Sequence, residues 1–78
     1  MYIQERMSNM SLIDYEGKKV KITDSEKQIW EGKATDYVYP EDNEPEIESL
    51  IIRCEVGKFP GRFVEFTPDE IRSIEVVD

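Results

Sequence analysis

The chain has 78 residues, 36% of them charged, and a formal net charge of -8, a size and balance that describe one compact soluble domain. At that length folding hides only about 60 to 65% of the unfolded surface, which leaves little room for an enclosed active site. A single cysteine, Cys54, excludes an internal disulfide, the absence of histidine excludes imidazole chemistry and histidine metal sites, and no run approaches the roughly 18 apolar residues of a membrane span.

Residues 1–10 show no clear period and are expected to form a flexible tail ahead of a domain over 11–78. Ser11 is a good cap for one helical turn over Leu12–Tyr15, which ends at Gly17, where glycine tolerates a positive φ. Alternation then predicts a first strand over Lys18–Thr23 with Val20 and Ile22 on one face. Lys19 and Lys21 share the other face. Asp24–Lys27 reads as a turn, so the next strand forms a hairpin with the first.

That second strand is long, running from Gln28 to Tyr39, and Gly32 inside it marks a bulge or bend where another backbone comes close. Ile29 and Trp30 are adjacent; either a bulge turns both inward or one is exposed. Pro40 ends the strand, and the acidic stretch Glu41 to Glu46 reads as a loop. Ile47–Cys54 resumes strand character, with Leu50, Ile52 and Cys54 on one face and Ile51 and Arg53 on the other. Gly57–Gly61 reverses the chain into Arg62–Phe66. Thr67 and Pro68 start a single 3₁₀ turn before a last strand over Ile71–Val77. The predicted fold is all-β, a small five-stranded bent antiparallel barrel with a short N-terminal helical turn.

These residues resemble the Sm-like (LSm) small-barrel family. The likeness runs over residues 11–77. It rests on the helical turn ending at Gly17, on Lys19-Val20-Lys21-Ile22, and on the Trp30-Glu31-Gly32 step in a bent strand. Asp36 followed by Leu50-Ile51-Ile52, and Phe63–Phe66 leading into Ile71–Val76, complete it. The resemblance implies the barrel and a tendency to form homo-oligomers through strand edges. RNA-binding members carry an Asp-x-x-x-Asn element and a later Arg-Gly pair. Here Gly32 and Asp36 lie closer together than in that pattern, Asn43 sits in a longer acidic insertion, and Thr67-Pro68 replaces Arg-Gly. RNA binding is therefore not carried over, although Asp36 and Asn43 are the positions to which that motif maps.

Charge weighs in the same direction. Residues 1–40 carry seven acids against six bases, net -1, whereas residues 41–78 carry eleven against four, net -7. The second half repels a phosphate backbone. Lys18, Lys19 and Lys21 form the one dense basic group and are the candidate nucleic-acid contacts, beside the plainer reading of a charged strand that discourages aggregation.

No catalytic constellation is present. Cys54 lies within an apolar alternation and lacks a histidine base, which makes it a structural thiol. Glu41, Asp42, Asn43, Glu44, Glu46 and Glu48 offer oxygen ligands at short spacing, but Pro45 stands where a calcium loop needs glycine, so no metal or cofactor is expected. The acidic residues Glu41, Asp42, Glu44 and Glu46 read as a solvated loop or as a docking strip for a basic partner. Phe59, at a turn tip between Lys58 and Pro60, is either tucked over the barrel or offered to a partner. The expected function is a non-enzymatic, cytoplasmic binding or assembly module that contacts protein through Phe59 and the acidic loop; the alternative is an Sm-like RNA-binding ring.

Overall fold

Alternation of apolar and polar residues produces five strands, which the computed structural model describes over residues 11–57 and 59–77. They are β1 (Lys19–Asp24), β2 (Ile29–Val38), β3 (Ser49–Val56), β4 (Phe63–Phe66) and β5 (Ile71–Val76). All pair antiparallel in one sheet of order β4-β3-β2-β1-β5. The helical elements among the described residues are 3₁₀ turns at Leu12–Tyr15, Pro40–Asp42 and Pro68–Glu70. Ser11 and Thr67 explain the first and last: Ser11 Oγ accepts from the Ile13 N–H at 3.2 Å, and the Glu70 carboxylate accepts from the Thr67 N–H at 3.0 Å. The middle turn occupies the stretch whose composition predicts a loop, because Pro40 supplies a helical φ at its first position. The expected tail, residues 1–10, and Lys58 lie outside the described residues.

Gly32 sets the bend. A Cβ there would stand 2.0 Å from the Arg53 carbonyl oxygen, so β3 passes through the space a side chain would need. The β2–β3 register shifts between Glu31 and Gly32 and again between Ala34 and Asp36, and β1–β5 shifts between Thr23 and Asp24. Such bulges raise the local twist and curl the sheet. The curl brings Trp30 of β2 edge-on to Phe66 of β4, 5.6 Å between ring centres, although β3 lies between those strands. The concave face collects Val20, Ile22, Leu50, Ile52, Cys54 and Ile74 into the core, capped by Leu12 and Tyr15. Burial, with Asp14 adding to it, raises the Tyr15 phenol pKa above its ordinary value.

The pleat resolves the Ile29–Trp30 pair: Trp30 turns inward and Ile29 remains exposed. The Trp30 Nε1–H donates to Asp24 at 2.9 Å, and Asp24 also accepts from the Glu26 and Gln28 N–H groups, so one carboxylate fixes the β1–β2 turn. The surplus of aromatics predicts that most of Tyr37, Tyr39, Phe59, Phe63 and Phe66 pack inside. Only Phe66 is fully buried; Phe63 is 63% exposed because its pairing with Arg53 places it on the convex face. Among the described residues β4 and β5 share no ladder, so both are sheet edges.

Candidate functional site

The acidic loop folds back onto the convex face. Asn43 Nδ2 donates to Ile47 O at 2.7 Å and to Ser49 Oγ at 3.2 Å, and the Ser49 hydroxyl donates to the Glu65 carboxylate of β4. Ser49 is fully buried although strand alternation points it away from the core, because the loop and β4 cover it. Both amide hydrogens of Asn43 are thereby committed. Glu41, Asp42, Glu44 and Glu46 remain exposed. At the loop's far end the Tyr37 hydroxyl donates to Glu48 at 2.6 Å. That bond pushes the Tyr37 pKa up to about 12, with burial and the negative charge of Glu48 adding to it.

The basic residues of β1 are met by carboxylates. Lys18 is exposed just before β1, Lys19 Nζ pairs with Glu55 at 2.9 Å, and Lys21 lies between its cross-strand partners Glu31 and Glu75. Asp36 is exposed on the convex face opposite Ile51. No recorded contact joins Asp36 to Asn43. Sequence reasoning missed Lys33 and Arg53, which pairing places in one cross-sheet row with Lys19, ending at the exposed Phe63.

Phe59 is half tucked and half offered. Its ring lies 6.5 Å from Trp30, the Arg62 guanidinium stands 5.9 Å from its centre, and 51% of the residue is exposed. Two hollows flank β4 nearby. One of about 330 Å³ is lined by Asn43, Glu44, Pro45, Ile47, Glu65, Thr67 and Glu70. The other, about 230 Å³, is lined by Asp24, Ser25, Glu26, Trp30, Val64, Glu65, Phe66 and Glu70. They share Glu65 and Glu70.

Cys54 is buried, and desolvation raises its pKa, which disfavours the nucleophilic thiolate. Among the described residues no group of three or more carboxylates and thiols converges to hold a metal ion, and no helix is long and apolar enough to cross a membrane. Comparison with protein-family models, curated proteins and solved structures finds no significant match.

Proposed function

We propose that this chain is a non-enzymatic, cytoplasmic binding and assembly module of Sm-like fold, which forms homo-oligomers through its strand edges and engages a protein through the acidic loop and the Phe59 turn. The observation that carries this reading is the pair of open edges, β4 and β5, at opposite ends of one sheet. Among the described residues neither has a strand partner on its outer side, so β4 of one copy can add to β5 of the next in a head-to-tail contact. The strand order, the turn ending near Gly17 and the bend at Gly32 support the Sm-like part.

The row Lys19, Lys33 and Arg53 favours an RNA-binding ring as the second reading. Against it stand the adjacent Glu55, the carboxylates on either side of Lys21, and the committed amide of Asn43. Light scattering at low and moderate salt, with and without a short uridine-rich or adenine-rich RNA, separates the two. The expected result is an oligomer indifferent to RNA. A monomer at every concentration removes the assembly reading, and an RNA-dependent mass confined to low salt transfers the function to RNA. Phe59→Ala should weaken partner contact while lowering stability by only about 1 kcal/mol, since the ring is half in solvent. A larger drop in thermal midpoint would make Phe59 a core residue.

A further inference from the structure

We infer that the β4 edge, with the two hollows beside it, receives a basic extended segment of a partner protein, added as a sixth strand. This rests on the protein-binding reading above and names the chemistry of the partner. The Cys54 N–H donates to Arg62 O at 2.8 Å, and antiparallel pairs alternate between bonded and unbonded. Val64 and Phe66 therefore direct their backbone groups to β3, while those of Phe63 and Glu65 point out from the sheet. An incoming strand finds donors and acceptors at both residues.

Side chains of an added strand alternate between the two faces of the sheet, and the hollows differ in the same sense: Trp30, Val64 and Phe66 line one, the loop residues Asn43, Glu44 and Pro45 line the other, and Glu65 and Glu70 border both. Both hollows have the same character. Pro45 and Ile47 in one, and Trp30 and Val64 in the other, provide apolar surface; Glu44, Glu65, Glu70, Asp24 and Glu26 provide carboxylates. No lysine or arginine is among these lining residues. Lys and Arg fit both demands, laying aliphatic stems on the apolar surface and carrying charged heads to the carboxylates. A second copy's β5 fits less well, because Arg72 is its one cation and Glu75 opposes it. The basic segment thus competes with self-assembly for this edge.

Trp30 is the sole tryptophan and lines a hollow, so its fluorescence reports occupancy directly. The probe is a peptide of about eight residues, one strand in length, alternating arginine with valine, against a control with glutamate in place of arginine. The expected result is a saturable change in Trp30 emission with the basic peptide alone, weakened about tenfold between low and physiological salt. The double variant Glu26→Gln/Glu44→Gln should weaken it about fivefold. Neither residue takes part in the caps or in the Ser49 cluster. Phe63→Pro, which removes an outward N–H from an edge strand, should abolish it. Equal response to both peptides, no response at saturating peptide, or affinity unchanged in both the charge and the proline variants would overturn the inference. If the proline variant does not fold, the charge variant decides alone. Light scattering on the same samples keeps the two readings apart: an oligomer without a peptide response sinks only this inference, and a monomer that responds sinks only the assembly reading.

Discussion

Gly32 is the residue on which the curvature of the sheet depends. With the Arg53 oxygen 2.0 Å from where a Cβ would be, no rotamer relieves the clash; β2 and β3 must separate and lose ladder bonds. Gly32→Val is therefore expected to destabilise by about 2 to 4 kcal/mol, the range of overpacking combined with backbone strain. For a domain of this size that lowers the thermal midpoint by roughly 10 °C or more. An unchanged midpoint would show that β3 yields freely and that the bend has another origin. This position is legible in the sequence, because a glycine in the interior of a long strand such as Ile29–Val38 marks a bend or a close backbone approach. Ser49 is the opposite case. Alternation places it outward, and nothing local indicates that Asn43 and Glu65, from separate segments, close over it.

At the scale of elements, strand identity follows from alternation, and the five strands stand close to where the pattern puts them. The β3 start differs, at Ser49 rather than Ile47, because Asn43 takes the Ile47 carbonyl for the loop. What alternation cannot supply is register across a bulge, so the Lys19–Lys33–Arg53 row and the hollows beside β4 emerge only with the paired sheet. The joint between β2 and the acidic loop carries a pH prediction. The Tyr37 phenol bonds Glu48, which raises its pKa from 10.0 to about 12. A raised folded-state pKa means that the folded state holds this proton more tightly than the unfolded chain. Its stabilising contribution is complete below pH 10 and is lost as pH rises through about 12. Phenolate absorbance should therefore show one tyrosine titrating late, and Glu48→Gln should shift it back toward the ordinary range. If all tyrosines titrate together near their ordinary value, the Tyr37–Glu48 bond does not persist in solution.

For the whole molecule the deciding quantity is the charge of -8 confined to extents of 29 × 28 × 23 Å. At about 10 mM salt the screening length is about 30 Å, so every carboxylate feels every other; at physiological salt it is about 8 Å. Unfolding relieves this repulsion, because the radius of gyration grows from 11.6 Å to about 27 Å for an expanded chain of this length. The opposing attractions are individually small: an exposed pair such as Lys19–Glu55 contributes at most about 1 kcal/mol. Repulsion wins. The thermal midpoint should rise by several degrees between those salt concentrations, and Glu44→Lys should raise the low-salt midpoint and flatten the dependence. The same sum acts between molecules. Two copies, each at -8, repel, so salt should favour self-assembly, whereas binding of a basic strand at β4 should weaken as salt rises. Opposite salt slopes for oligomer mass and for peptide affinity, measured on one sample series, are the expected outcome. A midpoint that falls with salt would mean that attractive pairs outweigh the net charge, and slopes of the same sign would mean that charge does not choose between the two occupants of the β4 edge.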